Sequence, residues 1–299
     1  MITIFTTPKD FLGIYKIIQT NALKSWEALS PKIQIIIFGK SKGASEIALE
    51  IGADYVPNVK CSKLGTPFIS DMFRQADKLA KYSNLVFINC DIILPKNFLI
   101  SIDIVSKHFK FFLLVGHRWD IDINTLINFN DKSACEVFNK KVQSESKQHL
   151  CTGIDYFVFK KGQWKNFPDL LIGRDGWDNW IIWKARRIFL PVVDGTSMIK
   201  AIHQNHSYHK NKIIKDEKIT LKYEREHNRK IYFSKIFYGK PVLQSLNLLD
   251  CTYAIVNNKV LKRKNKEFKI RNLYRLPTIY PELSILIKFY RKLYRFFSY

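Results

Sequence analysis

The run Leu85-Val-Phe-Ile-Asn-Cys-Asp91-Ile-Ile-Leu94 constrains this chain more than any other stretch, because it is an apolar strand interrupted by two polar residues, Asn89 and Asp91. An apolar run leading into an acid reads as a parallel strand covered on both faces. Open α/β sheets place their ligands at the carboxyl ends of such strands, which is where Asp91 stands. A buried carboxylate without a partner is costly, so a divalent ion with oxygen ligands is a natural companion. Such an ion would suit a nucleotide diphosphate. The same aspartate also suits capping of the next turn.

The first hundred residues alternate strand and helix patterns in the manner of βαβ units. Strands are expected at Ile2–Thr6, Ile33–Phe38, Tyr55–Pro57 and Leu85–Ile88, and helices at Tyr15–Leu29 and Ser45–Ile51. Thr66-Pro67 offers an N-cap followed by proline at the first position of a helix over Phe68–Tyr82. The pattern is doubly wound, yet no G-x-G-x-x-G or G-x-x-x-x-G-K-[ST] follows the first strand, which removes dinucleotide-fingerprint and P-loop readings. Beyond these come a helix at Asn97–His108, a strand at Phe111–Gly116 and a helical or loop insertion over Ile121–His149 that could face an acceptor. Strands at Tyr156–Lys160 and Ile188–Val193 bracket a tryptophan-rich helix.

Two later segments share the character of the first. Gly173-Arg-Asp-Gly-Trp-Asp-Asn-Trp180 sets acids among tryptophans, and Ala201-Ile-His-Gln-Asn-His-Ser-Tyr208 ends an apolar stretch with clustered imidazoles. With Thr66-Pro-Phe68, Gly116-His-Arg-Trp-Asp120 and Gly153-Ile-Asp-Tyr-Phe157, these segments resemble nucleotide-diphospho-sugar transferases of the GT-A type over residues 1–210. Asn89-Cys-Asp91 stands as an N-x-D variant of that group's D-x-D signature. The resemblance implies an α/β fold with a mixed central sheet flanked by helices. It also implies a glycosyltransferase using a nucleotide sugar, UDP-linked, with a glycan or lipid-linked glycan as acceptor.

Glycosyl transfer passes through an oxocarbenium-like state while a nucleoside diphosphate leaves, so the leaving group must be neutralised and the acceptor hydroxyl must lose a proton. Asp91 is the metal candidate for Mn²⁺ or Mg²⁺, and the resemblance implies a further ligand from His203 or, in its place, His206. Imidazole tolerates Mn²⁺ better than Mg²⁺. Histidines in a His-x-x-His pair also serve packing and hydrogen bonding. Asp178, at the start of a helix, is by resemblance to inverting enzymes the candidate general base; the helix dipole favours its charge and neighbouring tryptophans oppose it. It also suits an N-cap role.

Thr6, Thr7, Asn89, Arg118 and Asp120 are the expected donor contacts. Arg118 and Asp120 would equally make a structural ion pair. Gly153, Asp155, Trp177 and Trp180 are the expected acceptor contacts, although tryptophans at helical spacing also build cores.

Composition bounds the alternatives. Five cysteines at 61, 90, 135, 151 and 251 lack paired spacing, which argues against a disulfide framework or a zinc site and for a reducing compartment. The apolar start is too short for a signal sequence, no run is long enough for a transmembrane helix, and a cytoplasmic protein is expected. The net charge of +23 attracts anions. Residues 216–299 carry 19 Lys+Arg against 7 Asp+Glu and form a basic C-terminal extension after a catalytic domain of residues 1–215. Within it, Tyr253–Leu261 reads as a hairpin about Asn257-Asn258, and Glu282–Phe297 as a basic amphipathic helix about 24 Å long. That helix is suited to the anionic inner face of the cell membrane. Two rivals remain: a sugar-1-phosphate nucleotidyltransferase, which lacks its glycine-rich loop here, and a basic binder on a degenerate scaffold. No nucleic-acid recognition motif accompanies the charge.

Overall fold

The structure, a computed structural model, describes residues 1–206, 215–235 and 241–283. Its first half runs β1 (Ile2–Thr6), α1 (Ile14–Glu27), β2 (Gln34–Phe38), α2 (Ala44–Glu50), β3 (Asp54–Val56), α3 (Ile69–Leu79), β4 (Asn84–Ile88), β5 (Ile92–Ile93), α4 (Phe98–His108), β6 (Leu113–Val115) and β7 (Arg118–Ile121). The second half continues with α5 (Lys132–Glu145), β8 (Lys147–Gln148), β9 (Tyr156–Lys160), α6 (Trp177–Arg187), β10 (Val192–Asp194), β11 (Ala201–Gln204), α7 (Lys215–Tyr232), β12 (Phe233–Lys235), β13 (Pro241–Leu243), β14 (Tyr253–Val256), β15 (Lys259–Lys262) and α8 (Lys266–Ile279).

The mixed α/β architecture expected from the sequence is present: a nine-stranded central sheet, in the order β15-β14-β10-β6-β9-β4-β1-β2-β3, with helices on its faces. Strands β1 to β4 are mutually parallel and β9 enters antiparallel between β4 and β6. Alternation along the strands divides the core in two. Ile2, Ile4, Val86 and Ile88 pack on one face with Trp26 of α1, while Phe5, Leu85 and Phe87 pack on the other with Met72 and Phe73 of α3. This is the two-sided burial that an uninterrupted apolar strand requires.

The chain winds outward from β1 to β3 and then crosses back to β4, so the order reverses between β1 and β4. A crevice opens at that point outside the carboxyl ends. A second sheet, β5-β11-β7-β8, stands beside it over a small core of Ile93, Ile121, Val142 and Ile202.

Several local expectations changed. Thr66 does not cap α3: Phe68 holds the N-cap position, and the Thr66 hydroxyl bonds Glu224 at 2.9 Å instead. The insertion over 121–149 contains α5, whose N-cap Asp131 accepts hydrogen bonds from the backbone of Ser133 and Ala134. The strand expected at Ile188–Val193 begins only at Val192, because α6 runs to Arg187 and Phe189 turns with φ 59°. The hairpin forms as read, with Asn257 and Asn258 at φ 48° and 60°, the left-handed pair a two-residue turn needs.

Past residue 215 the chain stays within the same body. β14 pairs with β10, and Leu246, Leu248, Cys251 and Ile279 are buried in the α6 side of the core. The expected helix over Glu282–Phe297 lies outside the described residues from 284 onward.

Candidate active site

The site begins with backbone pairing. After β4 ends, the Asn89 amide donates to the Asp155 carbonyl (3.0 Å), and the Asp91 carbonyl accepts from the Gln204 amide (3.2 Å). The two residues after Asp91 form β5, which pairs antiparallel with Ile202 and His203 of β11. β11 in turn runs parallel to β7, with His203 opposite Asp120. Register therefore brings Asp91, His203 and Asp120 together although they lie far apart in sequence.

Their side chains complete the arrangement. Asp91 Oδ2 lies 3.2 Å from His206 Nε2 and 3.6 Å from His203 Nε2. One ligand atom from each of the three residues falls within 4.8 Å of the others. The remaining ring nitrogens face elsewhere: His203 Nδ1 is 2.9 Å from Asp120 Oδ1, and His206 Nδ1 is 3.4 Å from the Tyr15 hydroxyl. Asp91 Oδ1 is buried without a hydrogen-bond partner. One carboxylate and two imidazoles, with the second carboxylate oxygen left unpartnered, form a donor set suited to a divalent transition ion such as Mn²⁺. Carboxylate backing of a ligating histidine is the usual support for such a site.

Electrostatics agree with the geometry. Burial works against the charge of Asp91, but His203 and His206 overcome it and hold the carboxyl below the usual carboxylate range. Burial likewise opposes a charged His203, and Asp91 outweighs this to raise its pKa.

Asp120 is the centre of a further network. Its Oδ2 meets His149 Nδ1 at 2.5 Å and its Oδ1 meets Arg118 Nε at 2.9 Å. Arg118 Nη1 continues to Asp155 Oδ2 at 3.1 Å, and Asn89 Nδ2 donates to Asp155 Oδ1 at 2.6 Å. Arg118, Asp120, Asn89 and Asp155 are thus engaged with one another beneath the metal candidates.

A cleft of about 1050 Å³ opens over Asn89, Cys90 and Asp91. Thr7, Lys40 and Asn58 line it from the ends of β1, β2 and β3, and Gly173, Arg174 and Trp177 close it from the α6 side. Thr7 is on the wall, whereas Thr6 is fully buried within the sheet and does not reach the cleft. Lys9, Lys40, Lys60 and Arg174 give the walls a cationic character.

The expected acceptor residues divide. Trp177 lines the cleft while packing on Phe87 and Phe157. Trp180 is core: it is buried, edge-on to Phe167, with its indole N–H 3.2 Å from Gln244 Oε1. Gly153 serves His149, since a Cβ there would lie 2.4 Å from the imidazole. Asp155 is buried in the network already described.

Asp178 occupies the first turn of α6, after the left-handed Gly176. Its burial, together with the nearby charges of Asp155 and Asp175, outweighs backbone hydrogen bonding and leaves its pKa pushed up to about 7. A carboxylate so tuned is suited to accept a proton near neutral pH.

Several site residues had no signal in the sequence. Tyr15 and His149 are isolated polar residues whose partners lie 191 and 29 positions away. Glu224, in a basic helix, is fully buried and binds Ser62, Thr66 and Arg174 at the cleft rim.

No protein-family model matches the chain. No curated protein matches it either. Among solved structures, it is similar to glucosyl-3-phosphoglycerate synthase from Mycobacterium tuberculosis in complex with Mn²⁺, UDP and phosphoglyceric acid, at 10% identity and TM-score 0.42, covering 77% of each chain. It is similar to TarS 1-349 from S. aureus in complex with UDP, at 11% identity and TM-score 0.41, covering 69% of this chain and 58% of that one. A Desulfovibrio desulfuricans G20 protein described as a nucleotide-diphospho-sugar transferase gives 10% identity and TM-score 0.40, covering 77% of this chain and 97% of that one. The chain spans 36% to 58% of the length of the TarS structures it matches.

Proposed function

We propose that this chain is a divalent-cation-dependent glycosyltransferase that moves a sugar from a UDP-linked donor to a hydroxyl of a glycan or lipid-linked glycan, with inversion. The observation that carries this reading is Asp91. Its carboxylate stands at the switch point of the sheet, faces the Nε2 atoms of His203 and His206 on one side, and keeps its other oxygen buried and unpartnered at the floor of the cleft.

Asp91, His203 and His206 are the residues that would hold Mn²⁺ or Mg²⁺, and the ion supplies Lewis acidity toward diphosphate oxygens. The chain's own groups do the rest. Lys9, Lys40, Lys60 and Arg174 attract the diphosphate into the cleft. Thr7, on the cleft wall just past the end of β1, would contact the nucleoside. Asp178 takes the proton of the acceptor hydroxyl as that oxygen bonds to the anomeric carbon, while the bond from carbon to phosphate oxygen breaks and the nucleoside diphosphate leaves. Attack from the face opposite the leaving group inverts the anomeric centre.

The reading places the protein in the cytoplasm at an anionic membrane face. The excess of basic residues beyond 215 supports that placement. Among the described residues no helix is long and apolar enough to cross a membrane.

Calorimetric titration of the purified protein with UDP and a panel of UDP-sugars, first with Mn²⁺ and then with EDTA, tests the proposal. Binding that requires the ion and is lost in Asp91→Asn is the expected result. Equal affinity with and without the ion would remove it.

A further inference from the structure

Across the Asp175-Gly176 turn from the donor cleft lies a second groove, of about 830 Å³. Helix α7 forms one wall and the first turn of α6, at Asn179, forms the other. The periodicity of α7 gives its two sides different work. Residues three and four apart share a helix face, and Glu224, His227 and Asn228 face inward. Glu224 and Asn228 are fully buried. Glu224 accepts from Ser62 Oγ (2.6 Å) and Arg174 Nε (2.7 Å), His227 Nε2 meets the Asp169 carbonyl (2.7 Å), and Asn228 exchanges hydrogen bonds with the backbone of Leu171. These contacts fix the helix against the rim of the donor cleft.

The opposite side is left for other use. Lys222, Arg225 and Arg229 are exposed and line the groove at the same helical spacing. Asp175 and Glu226 also line it, so cations exceed acids by one, and the nearest ion pair, Arg225 to Asp175, is a loose 3.9 Å between exposed side chains. Tyr232 and Phe233 supply aromatic surface, with Arg229 5.2 Å from the centre of the Phe233 ring. Tyr232 rests against the turn itself: a Cβ at Gly176 would lie 2.4 Å from its ring.

Asp178 itself lines neither space, but its neighbour Trp177 lines the cleft and its neighbour Asn179 lines the groove. We infer that the groove is the acceptor subsite, and that it takes an anionic glycan carrying phosphate or carboxylate groups. This inference rests on the donor-cleft reading above. Arg225 and Arg229 bind the anionic groups, for which the guanidinium fork is the matching donor. Tyr232 and Phe233 offer rings to the apolar face of a sugar, and the acceptor hydroxyl comes to Asp178 from the groove side.

The test is hydrogen–deuterium exchange on the full chain, with UDP and Mn²⁺ present, upon addition of dextran sulfate or of neutral dextran of the same length. Dextran sulfate is expected to protect residues 221–233, and neutral dextran to leave them unchanged. Arg225→Ala/Arg229→Ala is expected to weaken dextran sulfate binding about tenfold, as loss of two charge-assisted contacts predicts. Its Mn²⁺–UDP affinity should stay that of the wild type. The variant Lys264→Ala/Lys266→Ala/Lys269→Ala, which removes the basic stretch elsewhere, should keep the protection. Protection confined to residues 259–269, or unaltered in the double arginine variant, would overturn the groove as an anion site. Groove protection without any Mn²⁺–UDP protection around residues 89–91 would overturn the acceptor role and the donor reading, leaving anion binding alone.

Discussion

His203 Nδ1 lies 2.9 Å from Asp120 Oδ1, an arrangement that turns the other ring nitrogen of His203 toward Asp91. Asp120, expected as a donor contact, thus stands behind a candidate metal ligand. Because Arg118 and His149 hold the same carboxylate, the ring is fixed from below by groups that would not touch the ion themselves.

Asp120→Asn is expected to lower Mn²⁺ affinity by about 10- to 100-fold, the usual effect of losing a carboxylate behind a ligating histidine. Electron paramagnetic resonance of free Mn²⁺ during titration measures it directly. Unchanged affinity would show that His203 needs no such support.

The pH dependence of transfer should report Asp178, whose pKa is pushed up to about 7. A base acts in its charged form, so kcat/KM should rise as pH climbs through about 7 and level off above it. Stability runs the other way. The folded value exceeds the ordinary 3.8, so the proton taken up on folding stabilises the protein fully below 3.8, and that contribution is lost as pH rises through about 7. Asp178→Asn should flatten both profiles and cut turnover by roughly 10²- to 10⁴-fold. A rate profile that keeps its rise near 7 in this variant would assign the titration to another group.

Trp180 should behave as a core residue. Trp180→Ala is expected to cost about 3–5 kcal/mol in chemical denaturation, while the folded fraction keeps its donor affinity in calorimetry. A loss of sugar discrimination without a loss of stability would return the ring to the site.

Glu224→Ala leaves Arg174 facing a void, and removing one partner of a buried ion pair is expected to cost about 3–5 kcal/mol. Burial opposes the charge of Glu224, but Ser62, Thr66 and Arg174 lower its pKa from 4.5. Its contribution is present above 4.5 and lost as pH falls, so the gap between wild type and Glu224→Gln should narrow in acid. Denaturation curves at neutral and low pH measure that gap, and a gap constant with pH would show that the carboxylate's charge adds nothing.

Legibility followed locality. Strand β4 and Asp91 could be read because an apolar run covered on both faces tolerates an acid only at its end. The histidines were visible as a cluster, and the hairpin was visible because two consecutive asparagines accept left-handed backbone. Thr66 was misplaced because its hydroxyl has two uses: capping is local, but the partner that won, Glu224, lies 158 positions away. Trp177 and Trp180 look alike in sequence and are equally buried, but Trp177 borders the cleft, whereas Trp180 packs on Phe167 and bonds Gln244. Helix α7 read as a charged stretch because the face it buries is polar, so no apolar stripe announced it. The Arg118–Asp120–His149 network depends on register between β7 and its neighbours, which composition does not encode.

Asp91 and His206 stand 115 positions apart, and they meet only because β5 pairs with β11. During synthesis the amino-terminal βα units can therefore bury apolar surface long before any ion could be held. Closing so large a loop is slow compared with the folding of those units. A nascent or truncated chain ending before residue 203 would therefore carry only Asp91 of the three candidate ligands.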